Sequence, residues 1–166
     1  FDQRLKKLFD LNELPYVVEP KIDGVAVSVT YVDGVLKSAV TRGNGIEGDV
    51  ITQNLKHVSA LPFDLPRLPG MPEVLEIRGE IYMSHEEFIR LNDLREQAGL
   101  PLYANPRNLA AGTVKLLDPK EASTRKLEIV LYGMGACTPE SCFKTQSQFH
   151  RSIREWQLPT VEYLKS

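Results

Sequence analysis

The chain has 166 residues, two of them cysteine, with 20 Lys and Arg against 22 Asp and Glu, a formal net charge of −2 and 42% hydrophobic residues. That size and content suit one soluble domain with its own core, while the near-neutral balance excludes a general electrostatic footprint for nucleic acid, so any DNA contact must be local. No apolar run reaches the roughly 18 to 20 residues of a membrane span and no secretory signal is present, which predicts a cytoplasmic chain with no membrane partner.

Along the chain, Leu5, Leu8, Phe9 and Leu11 recur at helical spacing within residues 1–13, predicting a short amphipathic helix ended by Asn12 and Pro15. Three runs rich in β-branched residues follow: Tyr16 to Pro20, Val25 to Val32, and Val35 to Thr41. The last two are joined by Asp33-Gly34, a two-residue hairpin signal, and together the three predict an antiparallel meander. Arg42 to Gly48 is glycine-rich and reads as a loop; Asp49 to His57 is expected to form a short helix capped by Asp49. Leu61 to Pro72 contains Pro62, Pro66, Pro69 and Pro72, which predicts an extended linking loop over the surface.

Val74 to Met83 predicts a strand, and Ser84 with Glu87 forms a capping box that opens a helix to about Ala98, stopped by Gly99 and Pro101. Asn105-Pro106 places an N-cap before proline at the first helical position, opening a short helix through about Leu116. Leu127 to Ala136 reads as a strand, and Phe149, Ile153 and Trp156 mark one face of a last helix ending before Pro159. Cys137 and Cys142 lack a second pair or histidines at metal-ligand spacing, so the expectation is two reduced thiols, with neither zinc site nor disulfide. Short hairpin strands with helices between them, without strand-helix-strand alternation, predict an α+β domain on an antiparallel sheet and argue against a Rossmann domain.

Chemistry concentrates in Glu19-Pro20-Lys21-Ile22-Asp23-Gly24, a lysine and two carboxylates between two strands. A lysine is a poor nucleophile at neutral pH unless its site makes the neutral amine accessible. A bare K-x-D-G is short enough to recur by chance, and alone it reads far more readily as a solvated turn. In isolation, too, Tyr132 reads as a core aromatic, Glu80 as the wet face of a strand and Arg42 as a loop cation.

Taken jointly, these segments resemble one family. Lys21-Ile22-Asp23-Gly24 is similar to the signature of the covalent nucleotidyltransferases, which include DNA ligases, RNA ligases and mRNA capping enzymes, and Arg78-Gly79-Glu80-Ile81-Tyr82 resembles their second motif. Thr41-Arg42-Gly43-Asn44-Gly45, with Gly48 and Thr52, and Ala104-Asn105-Pro106-Arg107-Asn108-Leu109-Ala110-Ala111-Gly112-Thr113 resemble the bacterial NAD-dependent DNA ligases in particular. The likeness runs from about Tyr16 onward and includes Tyr132-Gly133. It implies the antiparallel-sheet nucleotidyltransferase fold and a three-step reaction: Lys21 takes AMP from NAD, AMP passes to the 5′-phosphate of a nick in double-stranded DNA, and the 3′-hydroxyl seals it, with Mg²⁺ assisting.

By the same resemblance Lys21 is the nucleophile and Asp23 its electrostatic partner. Glu19 reads the adenine edge, Arg42 contacts ribose or phosphate, Glu80 lies near ribose and metal, and Tyr132 stacks on adenine. Arg107 and Lys115, flanking the helix opened by Asn105, are the DNA-facing cations, with a solvated basic face as the alternative. Lys115 stands where the family commonly has arginine, Asn44 where it has aspartate, and Asp49-Val50 replaces an acidic pair. No D-G-V-V-I-K-like motif follows Tyr132, and the family's N-terminal, zinc-finger and helix-hairpin-helix regions are not in this sequence. The expectation is therefore a partial adenylation domain over residues 1–166, a monomeric fragment of a longer nucleoid-associated ligase, incomplete for nick sealing by itself. Rival readings are an ATP-dependent ligase, a GTP-using capping enzyme, and a noncatalytic nucleic-acid-binding module.

Overall fold

A computed structural model describes residues 1–43, 47–58, 61–116, 118–140 and 142–165. The first helix, α1 (Asp2–Phe9), forms within the predicted residues but ends earlier than expected, where Asp10 takes the left-handed conformation, so Leu11 lies outside it. None of its residues is buried, and Leu8 and Phe9 are exposed; its tether is the Tyr16 hydroxyl, which donates to Asp2 Oδ1 at 2.8 Å.

The next strand departs from the expected meander. β1 (Val17–Val18) is only two residues long and pairs antiparallel with β6 (Leu164–Lys165) near the other end of the chain, forming a separate two-stranded sheet. The proline at position 20 cannot donate to a ladder, and the chain from Glu19 to Asp23 is irregular.

The main sheet is built from β2 (Val25–Val32), β3 (Val35–Thr41), β4 (Val74–Tyr82) and β5 (Glu128–Thr138), all antiparallel, in the order β3-β2-β4-β5. β2 and β3 form the predicted hairpin: Asp33 and Gly34 have φ of 50° and 78°, the paired positive values that match the twist of the flanking strands. Alternation sorts the faces, with Val27, Val29 and Tyr31 of β2 and Leu75, Ile77 and Ile81 of β4 buried in one core. Leu131 of β5 and Phe149 and Ile153 of α5 (Gln146–Glu155) join that core.

Between β3 and β4 two expectations are corrected. Val50 bridges to Val40 instead of starting a helix, and the helical piece is one 3₁₀ turn at Asn54–His57. Asp49 therefore caps no helix: its backbone and side chain are engaged by Thr41. The proline-rich stretch is irregular as expected, yet Leu61 and Leu65 are buried and Leu65 donates its N–H to Gly34 O, so it covers core as well as surface.

The helices α2 (His85–Gln97) and α3 (Pro106–Val114) start at the predicted caps, Ser84 and Asn105. Gly99, at φ 66°, follows the end of α2. The box at Ser84 is half formed: its hydroxyl accepts from Glu87 N at 3.4 Å, but the Glu87 carboxylate is directed elsewhere. It accepts from Arg90 Nε and Nη2 at 2.7 and 2.6 Å and from Lys126 N at 2.9 Å, tying α2 to the approach to β5. Asn54 Nδ2 donates to Val114 O and Leu116 O, satisfying carbonyls at the end of α3. A short helix, α4 (Pro119–Ser123), was not expected.

The cysteine expectation is also overturned: Cys137 and Cys142 form a disulfide, with Cα atoms 6.5 Å apart. The chain turns back at the end of β5, where Cys142 N donates to Cys137 Sγ. Four intervening residues suffice to bring the two Cα atoms within disulfide range.

Glu87 yields a test of the α2 anchor. Its hydrogen bonds from Arg90 hold the buried carboxyl below the ordinary glutamate range despite burial. Because the folded value is lowered, its stabilisation is full above the ordinary value and is lost as pH falls through the lowered one. Glu87→Gln is expected to cost about 1–3 kcal/mol at neutral pH, and the difference should vanish in acid, as measured by urea unfolding; equal stabilities at neutral pH would contradict this anchor.

Candidate active site

Gly24 sets where the site begins. A Cβ there would lie 2.2 Å from Ile81 O, so the residue just before β2 must be glycine for the backbone to pass this close to β4. The segment carrying Lys21 and Asp23 is thereby seated at the end of the main sheet.

On the face of the sheet away from the buried row of β4, the pairing register sets Glu80 beside Ala26 of β2 and Val130 of β5. Tyr132, two residues beyond Val130, lies on the same face, and its hydroxyl donates to Glu80 Oε2 at 3.3 Å. Burial, with the Glu80 carboxylate adding to it, raises the Tyr132 phenol, which keeps it a protonated donor at neutral pH. Glu80 is itself buried although it faces away from the core, because the walls of a cleft cover it. Arg42 leaves β3 with its N–H bonded to Ala26 O at 2.9 Å.

That cleft, about 570 Å³, is lined by Lys21, Arg42, Glu80, Arg107, Lys115 and Tyr132 together with Gly24, Ala26 and Thr41. Six of the eight residues singled out from sequence thus meet in one concavity. It continues over the sheet into a second hollow of about 700 Å³ that shares Arg42 and Tyr132 and reaches Glu76 and Arg78. Lys21 is exposed and, among the described residues, forms no ion pair, so its amine is open to a ligand.

The other two residues lie beside the cleft. Asp23 pairs with Arg107 Nη1 at 2.5 Å, in a bond whose side chains are 70% and 51% exposed. Lys115, at the end of α3, pairs with Asp49 at 2.7 Å. Each of the two expected DNA-facing cations is therefore matched by a carboxylate, in exposed pairs of the kind that contribute little to stability. Glu19 is held from behind: its Oε1 accepts from Gln146 Nε2 at 2.9 Å and meets His150 Nε2 at 2.6 Å. Gln146 Nε2 also donates to Tyr132 O, joining the Glu19 group to the cleft wall.

His150 and Gln146 were not found from sequence. Their spacing of four residues on α5, beside the apolar Phe149 and Ile153, is the signal that was available, since such residues share a helix face. Asn44, in the loop after Arg42, lies outside the described residues. Among the described residues no group of three or more His, Cys, Asp or Glu is placed to hold a metal ion by itself.

Residues 1–166 match the model of the family described as the NAD-dependent DNA ligase adenylation domain. The chain belongs to that family. This adenylation domain is 56% identical over 165 residues to DNA ligase 1 of Opitutus terrae, covering 98% of the chain and 24% of that protein. It is 53% identical over 135 residues to the DNA ligase of Desulforudis audaxviator, covering 81% and 20%. Against the DNA ligase of Methylacidiphilum infernorum it is 45% identical over 159 residues, covering 96% and 23%. The chain thus spans about a quarter of the length of these curated relatives or less. Among the described residues no helix is long and apolar enough to cross a membrane.

The adenylation domain's Lys115–Asp49 pair is testable by titration. Hydrogen bonding and charge from Lys115 are the leading causes that hold the Asp49 carboxyl below the ordinary aspartate range. Lys115→Ala is expected to move the Asp49 midpoint upward in carbon-detected NMR; an unmoved midpoint would contradict the pairing.

Proposed function

We propose that this adenylation domain has the covalent nucleotidyltransferase fold and serves a longer protein that seals nicks in double-stranded DNA with NAD as AMP donor. The observation that carries the reading is the convergence of Lys21, Arg42, Glu80 and Tyr132 on one cleft in a chain of this family. In the first step the neutral Lys21 amine attacks the α-phosphorus of NAD: an N–P bond forms, the P–O bond to nicotinamide mononucleotide breaks, and the amine loses its proton.

Tyr132 offers a ring face to adenine and donates its hydroxyl to Glu80, so the ring is fixed before the base arrives. Arg42 presents a planar fork of donors to ribose or phosphate oxygens. Glu19, with Oε1 occupied by Gln146 and His150, turns its remaining oxygen to the adenine edge. Asp23 acts on the lysine region through its hold on Arg107, whose guanidinium stands over the same cleft. When a 5′-phosphate approaches, Arg107 and Lys115 can exchange their carboxylates for it.

Magnesium suits this donor set only in partnership with the substrate. Glu80 is a single carboxylate on the cleft wall, and Mg²⁺ commonly takes one or two carboxylates and completes its shell with substrate phosphates and water. Bound there, it would neutralise charge developing on the phosphate.

With full-length protein, NAD should support sealing of a nicked duplex and ATP should not. Tyr132→Ala should raise KM for NAD about tenfold or more, the scale of one lost base-stacking contact. Sealing driven by ATP, or a Tyr132→Ala variant with unchanged KM, would overturn the assignment of the cleft.

A further inference from the structure

His150 is completely buried, yet both ring nitrogens face oxygen atoms. Nδ1 is 2.6 Å from Thr160 Oγ1, and that hydroxyl donates its proton to Leu131 O at 3.0 Å, which leaves Nδ1 as the donor. Nε2 is 2.6 Å from Glu19 Oε1 and 3.1 Å from Gln146 Nε2. The two amide protons of Gln146 go to Glu19 Oε1 and Tyr132 O, which leaves Nε2 facing the carboxylate as a donor, and ring and carboxylate form an ion pair when the ring carries both protons. The imidazole cannot turn away from either partner. It stacks on the Tyr163 ring at a centroid distance of 4.9 Å and meets the edge of Phe149 at 5.3 Å.

The consequence falls on Glu19. Its side chain is 21% exposed, and both bonds from α5 converge on the same oxygen, Oε1. Among the described residues nothing donates to Oε2. Rotation of the carboxylate is thus stopped with one acceptor fixed for a ligand, while Gln146 ties the arrangement to the backbone of Tyr132. An aimed, charged acceptor matches the exocyclic amine of adenine and repels the carbonyl oxygen that a 6-oxopurine carries at the same place.

We propose that His150 is a positioning residue that locks Glu19 through Oε1 and thereby sets the preference of the domain for an adenine-bearing donor over a 6-oxopurine one. This rests on the reading of Glu19 as the group that meets the adenine edge. His150 touches no substrate; it acts through Glu19. Packing alone would require only a ring-sized side chain, whereas the orienting role requires a donor at the Nε2 position.

Two substitutions separate these roles. The amide nitrogen of glutamine can take the place of Nε2 and that of asparagine the place of Nδ1, so His150→Gln keeps a donor for Glu19 and His150→Asn keeps one only for Thr160. In full-length protein, AMP transfer to the enzyme is compared with NAD and with nicotinamide hypoxanthine dinucleotide. We expect His150→Asn to lower the preference for NAD about tenfold, the scale of a lost hydrogen bond to a charged group, mainly through KM, and His150→Gln to retain most of it.

Glu19→Ala tests the underlying reading: if it leaves the preference intact, Glu19 does not read the base. If Glu19→Ala abolishes the preference but the asparagine and glutamine variants behave alike, the role of His150 alone is overturned. Should neither variant fold, nitrogen NMR of the unaltered protein decides the matter: a proton on His150 Nε2 is expected, and a bare Nε2 would overturn the proposal.

Discussion

The site depends on the pairing of β4 with β2 on one side and β5 on the other. Only a strand hydrogen-bonded along both edges can hold Glu80 beside Ala26 and bring Tyr132 across to it. Gly79 permits that closeness, since a Cβ there would meet Val130 O at 2.4 Å and a Leu131 methyl at 2.7 Å. The same residues that alternate to bury Leu75, Ile77 and Ile81 deliver Glu76, Arg78 and Glu80 to the opposite side, so one period-two pattern serves both core and cleft.

Around this sheet, polar pairs fasten loops and helix ends to one another. Asp23 with Arg107 links the Lys21 segment to α3, and Asp49 with Lys115 links the chain after β3 to the other end of the same helix. Both pairs are half exposed or more, where an ion pair contributes little to stability, so each can be broken at small cost. The pair of Glu19 with His150 is of another kind. The ring is fully buried and the carboxylate only 21% exposed, so removing the ring would leave a largely covered carboxylate without its inner partner, which is costly.

Local chemistry was legible in the sequence, while long-range partnership was not. The Asp33-Gly34 turn, the Ser84 and Asn105 caps and the apolar face of α5 are decided within a few residues, and each formed where its residues predict. Pairing of Val17 with Lys165 joins the two ends of the chain, and no pattern at Val17-Val18 could disclose its partner. The helix expected from Asp49 gave way because Thr41 takes Asp49 and Val40 takes Val50, contacts made with a strand earlier in the chain. Six residues that family resemblance had marked line one cleft; Asp23 and Glu19 were marked too, but the pairing of Asp23 with Arg107 and of Glu19 with Gln146 and His150 is set by tertiary packing. The disulfide between Cys137 and Cys142 was missed because spacing alone does not reveal how tightly a chain turns after a strand.

On the proposed function, the Lys21 amine, open at the mouth of the cleft, becomes covalently bound to AMP. Intact-mass analysis and peptide mapping of the full-length protein after incubation with NAD and Mg²⁺ tests it most directly. A single AMP adduct is expected, confined to the peptide carrying Lys21 and absent from Lys21→Ala. An adduct on another residue, or none from folded protein under these conditions, would contradict it.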